Sequence, residues 1–500
     1  MPDASDLSSS PSPDTSDSEG PEPAGLDVLP RVHAYDDERA RWDAVATIDA
    51  LDRGEVSVGE LVEGAIGRAE ALDPRLGAVA FERYAAARRQ VRREPARRGS
   101  FAGVPIFIKD MVPVAGLPLT WGSAALAGGP RRKRSSGIAV DIERMGMPIL
   151  GSSTMPEWGF TSSTEFPHAA PTRNPWNPNH SVGGSSGGAA ALVASGVVPI
   201  AHAADGGGSI RIPAACAGLV GLKPSLGRLR PHADEARLPV AVTVDGIVSR
   251  SVRDTARWYA EMERVRRSRK LPPMGEVTGP PTRRLRVGVV GALPGLVELD
   301  EPTRHTFDAT AQLLGDLGHH VEEVAPPIDP EQFRDDFILY FQFLVFMATR
   351  TARITHGPHV RLEEITSFTH GMAETFRTVP HRLPAAVRRL RKVRAQVEAF
   401  HRRHDLLLSP ALTGLPPELG HLSTAVEYET LLGRMVPWIA FTPVANAAGT
   451  PAISLPMGFD AAAHLPVAVM LSAAGGEDAL LLQVALELEE ARPWPLSGLT

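Results

Sequence analysis

Apolar positions change their spacing several times along the chain, and the changes divide it into regions. Through residues 42–66, Ala44, Ile48, Leu51, Val58, Leu61, Val62, Ala65 and Ile66 recur near helical spacing among charged residues, which predicts an opening layer of amphipathic helix. Between 103 and 223 the pattern differs: short apolar runs, Val104–Ile108 and Val197–Ile200, stand among dense glycine and serine. Runs of that length bounded by turn formers predict buried strands that end in loops. Leu285–Val290 predicts a further strand, followed by an amphipathic stretch near Thr303–Leu317, an alternation typical of layered α/β proteins. Residues 330–435 read as mostly helical, and the final strands are predicted at Ala452–Pro456 and Pro466–Leu471. No repeat period is visible.

Composition narrows the class. The 500 residues are 43% hydrophobic and 22% charged, proportions of a soluble globular chain with enough length for a large core. Residues 1–30 depart from this: they are rich in Ser, Pro, Asp and Glu and contain no Lys or Arg, so a disordered tail is expected there. A net charge of -6 gives no overall footprint for nucleic acid. Cys216 is the only cysteine, which excludes an internal disulfide framework or a CxxC pair and fits a reducing compartment. With no apolar run of membrane-spanning length and no basic-then-apolar leader pattern, a soluble cytoplasmic protein is expected.

Two basic segments are candidate contact surfaces. Arg131-Arg-Lys-Arg134 is read as a solvated loop. From Arg377 to Arg403 there are nine Lys or Arg residues and one acid, Glu398, while Leu383, Val387, Leu390 and Val393 share one helical face. This segment is read as an ordinary amphipathic helix with a solvated basic side, in preference to a membrane-surface or pocket-gating helix.

The candidate chemistry lies in two loops. Gly183-Gly-Ser-Ser-Gly-Gly188 opens a small-residue helix, and Asp205-Gly-Gly-Gly-Ser-Ile-Arg-Ile-Pro213 follows a predicted strand. Glycines let a substrate approach main-chain N–H groups closely, as an oxyanion hole requires. Ser209 closes the second loop, but a serine hydroxyl is a weak nucleophile without a base. The chain has only five lysines. Lys109 ends the apolar run Val104–Ile108, where burial would disfavour the ammonium and lower its pKa toward a usable base. Taken alone it would more often be an exposed partner of Asp110. Cys216, in a small-residue stretch, reads as a buried packing residue.

Rival readings of the first loop are a flexible turn or a phosphate cradle, though no Gly-Lys-Ser/Thr ending makes a P-loop. The block also satisfies Gly-x-Ser-x-Gly, which would make Ser185 the nucleophile of an α/β-hydrolase-type esterase. That reading needs a late histidine, with His401, His404, His421 and His464 as candidates, and leaves the loop 205–213 unexplained.

These residues resemble the amidase signature family. The serine- and glycine-rich signature runs from Gly183 through Ser185, Ser186, Asp205, Ser209 and Arg211 to Pro213, and the separation of the two serines, 209 − 185 = 24, matches the family's. Gly103-Val-Pro-Ile-Phe-Ile-Lys-Asp110 is similar to the family's lysine segment. Arg173-Asn-Pro-Trp-Asn177, Gly221-Leu-Lys-Pro224 and the stretch Phe441 to Pro456 extend the resemblance across roughly residues 45–490. The chain departs from the commonest pattern at Ser152, Ala204, Gly206 and Ala468; none of these removes a candidate catalytic side chain.

The resemblance implies a single α/β domain over residues 31–500, with a mixed central β-sheet of about ten or eleven strands covered by helices on both faces. The signature core would lie at about 103–223 and the variable substrate-pocket region at about 265–435. It implies a cis peptide bond before Ser185, a catalytic set of Lys109, Ser185 and Ser209, and an oxyanion hole drawn from the N–H groups of Gly206, Gly207, Gly208 and Ser209. Asp205 and Arg211 are expected as structural braces. The expected function is hydrolysis of a linear carboxamide, with no metal or organic cofactor. A small-molecule amide is the expected partner, and a homodimer is left open. Within the family the alternative is a glutamine-hydrolysing amidotransferase subunit; outside it, a catalytically silent binding protein.

Overall fold

The computed structural model describes residues 30–93, 99–167, 169–232, 238–293 and 295–496; the expected tail, apart from Pro30, lies outside them. Eleven strands occur among the described residues: β1 Val79–Glu82, β2 Ile106–Lys109, β3 Ile149–Ser153, β4 Ile200–Asp205, β5 Val220–Lys223, β6 Val244–Ser249, β7 Arg286–Val289, β8 His320–Glu323, β9 Leu406–Pro410, β10 Ala452–Asp460 and β11 Leu465–Ala473. Eight form a mixed sheet in the order β4-β6-β5-β10-β11-β9-β7-β8, and the other three form a smaller sheet, β1-β3-β2.

The single sheet of ten or eleven strands is therefore corrected to two. β2 runs beside β4, but no ladder joins them. The N–H of Lys109 goes instead to the imidazole Nδ1 of His202, at 3.3 Å. A side chain thus sits in the seam, and the base candidate lies on that seam.

Helices cover both faces of the large sheet, and the alternation of β11 records it. Val469 and Leu471 pack in one core with Leu481, Leu482 and Leu488 of the helix Asp478–Ala491. Ala468 and Met470, on the opposite face, pack with Ile212 and Ala215 of the helix Arg211–Ala217. A period of two in one strand feeding two cores is what a doubly covered sheet requires. Ala468, a departure from the commonest family residue, is buried on the face that carries the serine loop.

Most predicted elements are present. The opening layer is two helices, Ala44–Asp52 and Val58–Leu76, the second fixed by a reciprocal capping box between Ser57 and Glu60. The strand expected at Val197–Ile200 begins only at Ile200. Pro199 lacks an N–H for the ladder, and the N–H groups of Val197 and Val198 return to Leu192 O to close the helix Gly187–Ala194. In the region read as mostly helical, β9 is an inserted strand.

The rest of that region forms a helical layer over the site. Its main member is the 27-residue helix Pro330–His356, started by Asp329, whose carboxylate accepts from the N–H groups of Glu331 and Gln332. It packs against the helices Ser367–Thr378 and Leu383–His401. The second of these is the predicted basic amphipathic helix: Leu390, Val393 and Val397 are buried, while Arg388, Arg391, Lys392 and Arg394 are exposed. In the basic run at 131–134, Arg131, Lys133 and Arg134 are exposed, as a solvated loop requires.

Candidate active site

Lys109 is the last residue of β2, and burial at the seam determines its chemistry. Its side chain is 1% exposed. Nζ is 2.7 Å from Ser185 Oγ and donates to Ala204 O at 3.3 Å. The bland pairing with Asp110 is absent: that carboxylate turns away and accepts from Thr120 Oγ1 and from the N–H groups of Thr120 and Gly122. Burial lowers the Lys109 pKa to about 7, against a smaller opposing effect of the Asp205 and Asp245 charges. Burial also raises Asp110 to about 6.

Behind Lys109 lies a second polar layer that the motifs did not reveal. His202 Nδ1 accepts from the Lys109 N–H, and its Nε2 faces Asp245 Oδ1 at 3.1 Å. His232 Nε2 is also 3.1 Å from the same oxygen. Burial acts to raise the Asp245 pKa, but the charge of His232 and hydrogen bonds from both histidines outweigh it and hold the carboxyl well below its ordinary range. The only sequence signal for this layer was a histidine inside a small-residue strand.

Ser185 reaches Lys109 from the first glycine loop, and the Gly184–Ser185 peptide bond is cis. Behind it, Gly188 in the first turn of the helix Gly187–Ala194 passes against the end of β3. A Cβ at Gly188 would collide with the Thr154 backbone and hydroxyl and with Ala78 O. The glycines here permit close packing as well as turning.

The second loop carries Ser209, half-buried, immediately before the helix Arg211–Ala217. Asp205 and Arg211 brace it, as expected. Both side chains are fully buried, and the guanidinium donates Nε to Asp205 Oδ2 at 2.9 Å and Nη2 to Oδ1 at 3.0 Å. Burial acts to raise the Asp205 pKa, but the Arg211 charge and hydrogen bonds hold it far below the usual range. The brace extends into the segment near residue 445. Arg211 Nη1 donates to Thr442 O at 2.7 Å and Nη2 to Asn446 Oδ1 at 2.7 Å, while Thr442 Oγ1 donates to Gly207 O at 2.7 Å. Thr442 and Asn446 stood in a recognised motif, but the motif gave no role for them.

One expected oxyanion donor needs correction. The Gly208 N–H is used inside the loop, donating to Asp205 Oδ1 at 2.7 Å. Gly208 is there because its φ is +134° and a Cβ would meet the Thr442 hydroxyl. Among the described residues no acceptor takes the N–H of Gly206, Gly207 or Ser209. Those three residues, unlike Gly208, border the cavity.

Lys109, Ser185, Gly206, Gly207 and Ser209 all line one cavity of about 730 Å³. The rest of its wall is largely apolar, and the helix Pro330–His356 of the helical layer contributes a large part of it. Of the late histidines proposed for an esterase triad, none lines it; His401 bonds His404 O, and His404 bonds Glu322. Cys216 is fully buried outside the cavity, and burial drives its thiol pKa upward. Among the described residues no group of acidic, histidine or cysteine side chains is arranged to hold a metal ion.

Comparison with known proteins agrees with this geometry. The chain matches the Amidase family over residues 60–482. It belongs to the amidase family. It is 45% identical over 473 residues to a Mycobacterium tuberculosis protein named "Putative amidase AmiC", covering 93% of this chain and 98% of that one. It is 33% identical over 479 residues to the 6-aminohexanoate-cyclic-dimer hydrolase of Paenarthrobacter ureafaciens, covering 90% and 95%. Among solved structures, a 6-aminohexanoate cyclic dimer hydrolase complexed with substrate superposes with a TM-score of 0.83 at 31% identity, over 92% of this chain and 98% of that one. A bacterial aryl acylamidase of the amidase signature family gives 0.82 at 26% identity, over 92% and 97%. This amidase therefore shares its fold with enzymes acting on chemically different amides.

Proposed function

We propose that the chain hydrolyses carboxamides through an acyl-enzyme on Ser209, with Ser185 as proton bridge and Lys109 as base. The observation that carries this reading is the 2.7 Å contact between Lys109 Nζ and Ser185 Oγ, in a cavity that Ser209 also borders. A neutral amine at that position accepts the Ser185 proton as Ser185 takes the proton of Ser209. The Ser209 oxygen then adds to the amide carbon, and its oxyanion is received by the N–H groups of Gly206, Gly207 and Ser209. As the C–N bond breaks, Ser185 returns a proton to the leaving nitrogen and is itself reprotonated by Lys109. Water repeats the sequence on the ester and releases a carboxylic acid. Every proton in this scheme, from Ser209 or from the water, passes through Ser185 and Lys109, while the main chain supplies hydrogen bonds to the oxyanion.

Linear carboxamides are the first choice of substrate. Cyclic amides are a second reading, because a relative 33% identical over 479 residues is named for hydrolysis of a cyclic dimer. A cytoplasmic site of action is in keeping with the lone, buried thiol of Cys216.

The test is the Ser209→Ala variant with an amide panel and a fluorophosphonate probe. Loss of about 10⁴-fold or more in kcat, together with loss of labelling, is expected. Retained turnover or labelling at Ser185 would move the nucleophile.

A further inference from the structure

The residues around the cavity contain a contradiction for any charged substrate. Among the described residues its wall has no Asp, Glu, Asn or Gln. Apart from Lys109, the only Lys or Arg lining it among the described residues is Arg334, which is partly exposed and paired with Asp335 at 2.8 Å. An ammonium carried into this space would lose its hydration without gaining an acidic partner among the described residues, and a carboxylate would find only Arg334, already paired at the partly exposed edge; buried unpaired charge is strongly unfavourable. The amidotransferase alternative requires a site for the α-ammonium and α-carboxylate of glutamine, and the described residues of the cavity offer no acidic side chain for the first.

What the cavity offers instead is extended apolar surface. Along the helix Pro330–His356 the lining positions include Phe337, Phe341, Leu344, Ala348, Thr351 and Thr355, one stripe at intervals of three, four and seven. From Phe337 to Thr355 the stripe runs roughly 27 Å at the usual helical rise. A ladder of rings lies along its first part: Phe333 to Phe337 at 5.4 Å between centroids, Phe337 to Phe341 at 4.8 Å, and Phe341 to Phe160 at 6.4 Å. The ladder passes directly over the serine loop, since a Cβ at Gly207 would lie 3.3 Å from Phe341 and 3.5 Å from Phe337. Much of the remaining polar lining is hydroxyl, from Thr161, Ser162, Thr351 and Thr355. Neutral hydroxyls suit the N–H or C=O of an uncharged amide better than they suit a full charge.

We infer that the substrates are uncharged carboxamides whose non-reacting part is an extended aliphatic or aryl group laid along the Phe337–Phe341 face of the long helix, and that charged amides, glutamine included, are excluded. This rests on the amidase reading above and adds a substrate class to it. Phe337 and Phe341 then act as specificity residues.

The experiment uses the full chain with two matched series. One varies the acyl part of 4-nitroanilides from four to ten carbons; the other varies the N-alkyl part of benzamides over the same range. Each includes chains ending in carboxylate or ammonium. In at least one series kcat/KM rises by about tenfold or more from four to eight carbons, because each buried methylene contributes up to about fourfold, and a terminal charge lowers it by about a hundredfold or more. Phe341→Ala flattens the rise with length, and the effect appears mainly in KM. Flat length dependence in both series, or charged chains and glutamine turned over as well as their apolar counterparts, overturns the substrate class. Fluorophosphonate labelling of wild-type Ser209 separates the two failures: labelling with no apolar preference removes this inference and leaves the chemistry, whereas no labelling and no turnover of any amide removes the amidase reading as well.

Discussion

Lys109 Nζ lies 2.7 Å from Ser185 Oγ at the seam between two sheets, and among the described residues no carboxylate forms an ion pair with it. A lysine without an anion to hold its proton must lose that proton more readily than in water, and burial brings its pKa to about 7. Only the neutral amine can act as base. kcat/KM should therefore fall about tenfold per pH unit below pH 7 and reach a plateau by about pH 8. Lys223 also titrates near 7, with burial as the main cause, but its Nζ bonds Pro224 O and it does not line the cavity. The acid limb should survive in Lys223→Met. A limb that disappears in that variant would assign the titration to the wrong lysine.

The same burial predicts an effect on stability with a definite sign. The folded pKa of Lys109 is about 7, and that of an unfolded lysine is about 10.4. Below pH 7 both states carry the proton, and the folded state bears the full cost of an ammonium in an apolar seam. As pH rises from 7 toward 10.4 the unfolded chain holds more protons than the folded one, so the cost is progressively relieved. Lys109→Met removes the group. It should stabilise the fold most at or below neutral pH, by about 1–3 kcal/mol after the lost hydrogen bonds are counted, and the gain should shrink above pH 8. Urea unfolding at pH 6.5 and 9 measures the difference. An equal effect at the two pH values would mean that the lysine is not desolvated. Turnover should be lost at both.

How far the sequence disclosed this site depends on whether a residue acts through a local pattern or through packing. Lys109, Ser185 and Ser209 stand in short motifs whose spacing is set by one strand and two loops, so they could be named in advance. The Asp205–Arg211 brace is also local, six residues apart, and was recognisable. His202 and Asp245 escaped because their pairing is made by β4 and β6 lying side by side, and nothing in either strand alone announces it. The division of the sheet escaped for a related reason: hydrophobic runs predict strands but do not say where a side chain will interrupt a ladder. Gly208 was misassigned because a glycine-rich loop shows which N–H groups can be exposed without showing which one its own aspartate will take. The aromatic ladder on the helix Pro330–His356 was invisible as a site, since phenylalanines at helical spacing are the ordinary signature of a core.

The brace around Ser209 gives the last prediction. Arg211 makes its two bonds to Asp205 with the planar fork of the guanidinium and, with the same group, holds Thr442 O and Asn446 Oδ1. Lysine keeps the charge but offers one ammonium in place of five directed donors. In Arg211→Lys the buried Asp205 retains a counter-charge, so the protein should fold, with a loss of about 2–4 kcal/mol from the bonds left unmade. The contact with Thr442, which in turn holds Gly207 O, would loosen. Gly207 would then no longer be fixed against the ring ladder, and its N–H would lose its aim. The rate should suffer more than binding: kcat falling about tenfold to a hundredfold with KM within about threefold of wild type, since an oxyanion donor acts chiefly in the transition state. Steady-state kinetics beside a thermal unfolding curve checks both parts. A variant that loses stability but keeps kcat would show that the loop holds its shape without the guanidinium, and the brace would then matter for folding alone.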